Sequence, residues 1–257
     1  MWTFETAPPL PLWHARPVSH RSLLASTTRR GGVSAPPYHA LNLGRSTADD
    51  PAAVAENRRR VLERLGIPAE RLVTAGQVHG ARVVRVSEPG HVPECDALVT
   101  AEPGLALAVT TADCMPLLYS APRAVAAAHS GWRGTAEGMP VAALEAIRSL
   151  AGCPASEIRV FLGPCIRVCC YEVGAEVAGR FPEAAVRREF ARPRLDLPRA
   201  AAIQLFAAGL PESALVDCGA CTSCQPDWYF SHRRDGAPAG RQWGVAILER
   251  ESPRATR

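Results

Sequence analysis

The fold is indicated most clearly by residues 105–134, LALAVTTADCMPLLYSAPRAVAAAHSGWRG. Three apolar runs within this segment, LALAVTTA, PLLYS and AVAAAHS, predict three strands. Their near-continuous apolar character is typical of strands that are buried on both faces. The first run ends at Asp113 and Cys114, and the third ends at His129. Because rigid sheets commonly display reactive groups on the loops at their strand ends, these three side chains are the first candidates for a site.

The rest of the chain adds strands and helices in no simple alternation. A helix is predicted over residues 50–66, because Asp50 can cap it and Gly66 suits its end. Another is predicted over residues 134–152. Strands outnumber helices, which predicts an α/β (α+β) fold with mixed β-sheets packed against helices. We expect one domain over residues 21–250, preceded by a loose Pro-rich leader (1–20) and followed by a disordered tail (251–257).

The composition excludes several classes of function. All 29 basic residues are Arg, and the chain contains no Lys. Mechanisms that need a lysine, namely a Schiff base, PLP attachment or a phosphate-loop lysine, are therefore excluded. Any anion site must use Arg or backbone amides. The net charge of +4 is too small to indicate nucleic-acid or membrane binding. No apolar run is long enough to span a membrane, and no secretory signal is present. We expect a cytoplasmic monomer that acts on small molecules.

A fourth candidate side chain is His79 in GQVHG, residues 76–80, between two strand-like runs. Two imidazoles and one thiolate, from His79, Cys114 and His129, form a good three-ligand set for zinc, with a fourth position left open. The long spacing leaves a rival interpretation, in which Cys114 and His129 are a catalytic Cys–His pair.

Other polar residues are candidates for substrate contacts. Arg133, in HSGWRG, offers a fork suited to phosphate or carboxylate. Asp113 could orient a ligand or move a proton. Arg29 and Asn42 lie on a long Gly- and Pro-rich loop, which is typical either of ligand-contacting segments or of an ordinary surface loop.

Nine cysteines in a reducing compartment are expected to be core residues, ligands or nucleophiles rather than disulfides. Cys218, Cys221 and Cys224 have C-x2-C-x2-C spacing, which resembles part of a metal-ligand run. A fourth ligand is missing from the run, although Cys165, Cys169 and Cys170 could fold nearby. Buried thiols are the expectation here, and a structural metal is the alternative.

Six segments together resemble the YfiH-like family, whose names include laccase-domain or polyphenol oxidase protein, purine nucleoside phosphorylase and peptidoglycan editing factor. The resemblance runs in order from Ser22 to Leu248. The segments are TRRGGVS…YHALNLG, GQVHG, DALVT…LALAVTTADCMPLLY, AAAHSGWRGT, GPCIRVCCYEVG and CTSC…WYFSHRRDG…GRQWGVAIL.

The resemblance implies that His79, Cys114 and His129 bind zinc at the active site, in a fold distantly like a cytotoxic cysteine hydrolase. The implied activities are phosphorolysis of adenosine, inosine and methylthioadenosine, and deamination of adenosine. The alternatives are a Cys–His hydrolase of peptidoglycan precursors such as UDP-muramyl-serine, a copper polyphenol oxidase, and a non-enzymatic zinc-stabilised module. Copper is disfavoured because seven histidines are few for a multicopper centre.

Overall fold

The three strands predicted within residues 105–134 lie in two large mixed sheets. The computed structural model describes residues 1–17 and 19–250. The helices are α1 (Pro51–Leu65), α2 (Trp132–Ala136), α3 (Met139–Ala151), α4 (Ala175–Ala178), α5 (Leu197–Ala207) and α6 (His232–Asp235). The strands are β1 (Thr3–Glu5), β2 (Leu12–Ala15), β3 (Ser22–Thr27), β4 (Leu72–Gly76), β5 (Val83–Arg85), β6 (Gly90–Pro93), β7 (Ala97–Thr100), β8 (Ala106–Thr111), β9 (Met115–Ala121), β10 (Ala124–Ser130), β11 (Arg159–Leu162), β12 (Val186–Arg187), β13 (Arg194–Leu195), β14 (Leu215–Asp217) and β15 (Gln242–Leu248).

Each large sheet combines antiparallel and parallel pairs. The seven-stranded sheet has the order β1-β2-β3-β15-β8-β4-β6, and the six-stranded sheet has the order β14-β11-β9-β10-β7-β5. Strand β4 is parallel to β6 and β8, β5 is parallel to β7, and β11 is parallel to β14. The prediction of an α+β fold with mixed sheets is therefore confirmed.

The two large sheets pack face to face. Alternate residues of a strand point to opposite faces, so Leu107 of β8 meets Leu118 of β9 in the core between the sheets. The neighbouring Ala108 instead packs against α1 through Val61. Residues on the outer face of the six-stranded sheet, such as Tyr119, pack against α3 and α5. Strands β9 and β10 are buried at every position because both of their faces are covered.

The helix predicted over residues 50–66 is confirmed as α1, and its boundaries have the expected causes. The Asp50 side chain accepts a hydrogen bond from the amide of Ala52, and Gly66 ends the helix with a left-handed φ of 67°. The prediction of a single helix over residues 134–152 is wrong, because Gly138 adopts φ 88° and separates α2 from α3. No helix within the described ranges is long and apolar enough to cross a bilayer.

The first residues do not form the loose leader that was predicted. Strands β1 and β2 extend the seven-stranded sheet beyond β3. The Trp2 indole is buried, with its ring 5.5 Å from that of Phe161. Its Nε1–H donates to the carbonyl of Leu162 at 2.9 Å, which joins the N-terminal segment to the other sheet. The prolines between β1 and β2 favoured a loop, so these short strands were not predicted from the sequence. The predicted tail, residues 251–257, lies outside the described residues.

We predict that Trp2→Ala lowers the free energy of unfolding by about 3–5 kcal/mol, the usual cost of removing a buried aromatic side chain. The exposed Thr6 provides a control, because Thr6→Ala should change the free energy by less than about 0.5 kcal/mol. Urea unfolding followed by circular dichroism measures both. Equal stability of the Trp2→Ala variant and the parent would show that the leader contributes nothing.

Candidate metal centre

Cys114 lies at a sharp turn between β8 and β9. The preceding residue, Asp113, has φ 93°, a left-handed conformation that costs a non-glycine residue free energy. Two hydrogen bonds hold the Asp113 carboxylate in this conformation, one from the Thr222 hydroxyl and one from the backbone N–H of Arg233, each at 2.6 Å. The turn therefore displays the Cys114 thiol at the end of the strand.

His129 reaches Cys114 because β9 and β10 are antiparallel neighbours. Their register places His129 opposite Pro116, so the end of β10 lies beside the start of β9. Gly131 follows, and a Cβ atom at this position would lie only 2.7 Å from the Cys114 sulfur. A glycine is needed here because any side chain would displace the thiol.

His79 lies on the loop after β4, where it adopts a left-handed φ of 65°. The carboxylate of Asp96 accepts hydrogen bonds from three successive backbone amides of this loop, those of Val78, His79 and Gly80, at 2.9–3.2 Å. The Gln77 side chain exchanges hydrogen bonds with the backbone of Thr110 in β8. These contacts fix a loop conformation that would otherwise be strained, and they bring His79 to the same sheet edge as Cys114.

Asp96 also orients the second imidazole. His129 Nδ1 lies 2.8 Å from Asp96 Oδ1, and both side chains are buried. This contact leaves the other ring nitrogen of His129 to face the Cys114 thiol, with which it also forms a hydrogen bond. A carboxylate behind a histidine ligand commonly fixes the tautomer and orientation of the ring. The sequence analysis missed Asp96, although an acid that opens the apolar run DALVT is a usable signal.

Charge interactions between these groups favour a thiolate beside an imidazolium. Burial alone would raise the pKa of Cys114, but the neighbouring His129 and His79 outweigh burial and lower this pKa to about 6. Burial alone would lower the pKa of His129, but the Cys114 thiolate and Asp96 raise it to about 9. A thiolate is the form of cysteine that binds metals and attacks electrophiles.

The donor atoms of His79, Cys114 and His129 all lie within 4.8 Å of one another. His129 is only 3% exposed, Cys114 is half-buried, and His79 is exposed, so the group opens toward solvent on the His79 side. Two imidazoles and one thiolate fit a single tetrahedral ion with a fourth position left for a small molecule. The structure thus brings together the three residues that the sequence analysis selected.

The other predicted site residues have different surroundings. Arg133 is exposed, and its guanidinium stacks 4.5 Å above the Trp132 ring. Arg29 donates to the carbonyls of His39 and Pro226 and lines a surface cavity of about 420 Å³ to which none of the three candidate ligands contributes. The hydrogen bonds of Asp113 hold Thr222 and Arg233, so its carboxylate organises the backbone around Cys114.

Asn42 is not available to a ligand, contrary to the prediction. Its side chain is fully buried, and its amide nitrogen donates to Thr47 and Asp49. Its oxygen accepts from the backbone amides of Gly44 and Arg241. All four hydrogen-bonding positions of the amide are used by Thr47, Asp49 and Gly44 of the same loop and by Arg241 just before β15, which explains the polar residue without a substrate.

Two further side chains near Cys114 were not predicted. Burial raises the pKa of Tyr171, and the negative charges of Cys114 and Asp113 raise it further, so its phenol stays protonated. Burial lowers the pKa of Arg241, while Cys114 and Asp113 oppose this effect. Both residues lie far from Cys114 in the sequence. They belong to the family-like segments GPCIRVCCYEVG and GRQWGVAIL, but nothing in those segments shows that they approach the thiol, which only the fold decides.

The fold and this group define a class of protein: an α+β domain with a His–Cys–His group at a sheet edge, suited to one metal ion. Residues 23–249 match the family described as multi-copper polyphenol oxidoreductase laccase. The chain belongs to this family, in agreement with the resemblance to YfiH-like proteins.

Relatives and solved structures cover nearly the whole chain. It is 45% identical over 240 residues to a Mycobacterium tuberculosis protein named purine nucleoside phosphorylase, covering 90% of this chain and 94% of the relative. A Deinococcus radiodurans protein of the same name is 44% identical, covering 95% and 96%. The crystal structure of YlmD from Geobacillus stearothermophilus has a TM-score of 0.91 and 34% identity, covering 97% and 100%. Bacillus licheniformis YfiH has a TM-score of 0.87 and 30% identity, covering 96% and 99%.

The donor set does not fit the copper centre that the family description names. Among the described residues, His79 and His129 are the histidines that join a group of three or more potential ligands. A centre with several copper ions needs more imidazoles in one place. The residues present fit one ion, and they give no second histidine-rich position beside it.

We predict that Asp96→Asn weakens binding of Zn²⁺ by the His79, Cys114 and His129 group about 10- to 100-fold, because His129 loses the carboxylate that orients it. The measurement is the Zn²⁺ concentration that protects the Cys114 peptide from iodoacetamide, followed by mass spectrometry. Glu88→Gln, the same type of change on an exposed turn, serves as the control. An unchanged protection midpoint in Asp96→Asn would show that Asp96 does not support the group.

Proposed function

We propose that this chain is a zinc-dependent purine nucleoside phosphorylase that acts on adenosine, inosine and methylthioadenosine, with adenosine deaminase activity. The observation that carries the proposal is the convergence of His79, Cys114 and His129, with Asp96 behind His129. The names of the relatives support the phosphorylase assignment. The solvent-facing side of the group supports an enzyme over a non-enzymatic zinc-stabilised module. A cytoplasmic monomer remains our expectation.

The chemistry of the donor set supports zinc as the metal. Thiolate and imidazole are its preferred ligands, and three protein ligands with one open position are typical of catalytic sites. A zinc ion held by these residues would supply Lewis acidity toward the purine or toward water. The exposed imidazole of His79 leaves that side of the site accessible to a nucleoside.

Phosphorolysis requires the chain to hold phosphate near C1′ of the ribose. A phosphate oxygen bonds to C1′, the bond from C1′ to the purine nitrogen breaks, and the purine leaves with a proton. Arg133 suits the phosphate, because its guanidinium has no hydrogen bond or ion pair with any described side chain. Arg133 lies two residues after Gly131, where an added Cβ atom would lie 2.7 Å from the Cys114 sulfur, and stacking on Trp132 restrains its fork.

Deamination of adenosine shares the purine position but needs no phosphate. Water adds at the purine carbon that carries the amino group, and ammonia leaves. The two reactions therefore have different requirements in the same site. Incubating adenosine with the protein, with and without phosphate, and separating the products by HPLC tests the proposal. We expect adenine to form only with phosphate and inosine to form without it. The absence of both adenine and inosine would refute the proposal.

One observation favours a second candidate, the Cys–His amidase of peptidoglycan precursors. Cys114, His129 and Asp96 are linked in the order nucleophile, base and carboxylate, as in cysteine hydrolases. In that reaction the Cys114 thiolate would attack an amide carbonyl, and His129 would give its proton to the leaving amine. Incubation with UDP-muramyl-serine separates the two candidates, and removal of zinc should stop only the nucleoside reactions.

We predict that Cys114→Ala removes zinc from this group and abolishes turnover of adenosine, because the two remaining imidazoles are too few ligands to hold the metal. Metal analysis of Cys114→Ala and HPLC assays give the two readouts. Cys153→Ala is the matched control, because Cys153 is a half-buried thiol outside the His79, Cys114 and His129 group. Full turnover by Cys114→Ala would exclude this cysteine from the reaction.

We predict that Arg133→Ala raises the KM for phosphate in phosphorolysis about 10- to 150-fold and leaves deamination largely unchanged. The range corresponds to about 1.5–3 kcal/mol for hydrogen bonds to a charged group. Initial rates at varied phosphate provide the measurement, with Arg148→Ala on the exposed face of α3 as the control. An equal loss of both activities would argue against a phosphate-binding role.

A further inference from the structure

A second group of cysteines lies on two loops that leave the same edge of the six-stranded sheet. Strands β11 and β14 are parallel neighbours, so the loops that follow them start side by side. The pairing continues past the strands as a bridge between Cys165 and Cys221. The amide of Thr222 donates to the Cys165 carbonyl at 3.0 Å, which holds the two loops in register.

These loops bring together Cys169, Cys170, Cys221 and Cys224, which we call the four-thiol cluster. Their sulfur atoms all lie within 4.8 Å of one another. Cys224 Sγ lies 3.2 Å from that of Cys170 and 3.4 Å from that of Cys169, and the Cys169 and Cys221 sulfurs are 3.6 Å apart. Cys218, the first cysteine of the C-x2-C-x2-C run, is not a member, and the adjacent pair Cys169 and Cys170 completes the set instead.

The exposure of these cysteines excludes ordinary core packing. Cys169 and Cys224 are exposed, Cys170 is half-buried, and only Cys221 is buried. Exposed thiols gain little from burial, so the hydrophobic effect does not explain why four of them converge. The expectation of buried thiols, taken from the sequence, therefore holds for Cys221 alone within the cluster.

The sulfur spacing fits a single tetrahedral ion. A disulfide bond would place two sulfurs about 2.05 Å apart. A tetrahedral zinc ion with Zn–S bonds of about 2.3 Å places its four sulfurs about 3.8 Å from one another. The separations of 3.2–3.6 Å between the three closest pairs lie near this value. In an iron–sulfur cluster the four cysteines are divided between two or four iron atoms, so their sulfurs cannot all lie as close together as around a single ion.

Hydrogen-bond donors and guanidinium groups lie around the cluster. The Cys221 sulfur accepts hydrogen bonds from the backbone amides of Arg167 and Cys224. Arg194 donates to the carbonyl of Cys169 at 2.9 Å, and Arg234 donates to two carbonyls in the loop between Cys221 and Cys224. Backbone donors and nearby guanidinium groups offset the negative charge that four thiolates would concentrate.

We propose that Cys169, Cys170, Cys221 and Cys224 bind one structural zinc ion, independent of the ion proposed for His79, Cys114 and His129. All four coordination positions come from the protein, which is the closed arrangement of structural zinc sites. The ion joins the loop after β11 to the loop after β14.

This second site supports the candidate metal centre through one hydrogen bond. Thr222 follows Cys221 directly, and its hydroxyl donates to the Asp113 carboxylate at 2.6 Å. Asp113 in turn holds the left-handed turn that displays Cys114. The structural ion therefore fixes the loop that supports the turn, and it takes no part in the reaction.

Metal analysis of purified protein, prepared without oxygen, tests the proposal. We expect about two zinc ions per chain in the parent, one in Cys114→Ala and one in the double variant Cys221→Ser/Cys224→Ser. Cys218→Ser, which alters the same run outside the cluster, is the matched control and should keep both ions. One zinc ion in the parent and none in Cys114→Ala would overturn the proposal, as would iron with inorganic sulfide in the cluster.

A second measurement uses the unaltered chain, so it does not depend on a variant that folds. Alkylation by N-ethylmaleimide, located by mass spectrometry, should spare Cys169 and Cys224 in the zinc-loaded protein, although both are exposed. After a strong chelator removes zinc, both should react rapidly, and added Zn²⁺ should restore protection. Equal reaction rates in the two forms would overturn the proposal. A disulfide within the cluster, seen as the loss of two hydrogen masses in zinc-free protein as purified, would also overturn it.

Discussion

The buried carboxylate of Asp96 is the contact on which the candidate metal centre depends. It accepts hydrogen bonds from three successive backbone amides of the His79 loop and from the ring of His129. A fully buried carboxylate costs a large desolvation free energy unless its oxygens are satisfied, and here four N–H groups satisfy them. The same carboxylate holds His79 in a left-handed conformation and orients the imidazole of His129. One side chain thus fixes two of the three candidate ligands.

The sheet packing explains why the site lies where it does. Both faces of the central strands are covered, by the other sheet on the inside and by helices on the outside. Polar groups in the sheet interiors would be buried without water, so the chemistry is confined to the strand ends. The end of β10 and the start of β9 meet at one such edge, and the His79 loop reaches it from the neighbouring sheet.

The two cysteine-containing groups are neighbours in structure although they serve different purposes. The His79, Cys114 and His129 group keeps one side open to solvent, as binding of a small molecule requires. In our proposal the four-thiol cluster would supply all four ligands from the protein and offer no position to a substrate. Asp113 connects the two groups, because its carboxylate accepts a hydrogen bond from the loop of the cluster while its backbone shapes the turn before Cys114. The proposed structural site would thus support the surroundings of the proposed reactive site.

Local sequence patterns were enough to predict the buried strands of residues 105–134, the capped helix α1, and His79, Cys114 and His129 as candidate ligands. The other contacts between distant residues depend on the three-dimensional fold. Strand pairing brings Asp96 to His129 and places Cys169 and Cys170 beside Cys221 and Cys224. Strands β1 and β2 pair with β3 and extend the seven-stranded sheet. The fold also buries Asn42, whose side-chain amide forms hydrogen bonds with neighbouring protein groups. These contacts join residues far apart along the chain, and local patterns carry no information about which such residues the fold will bring together.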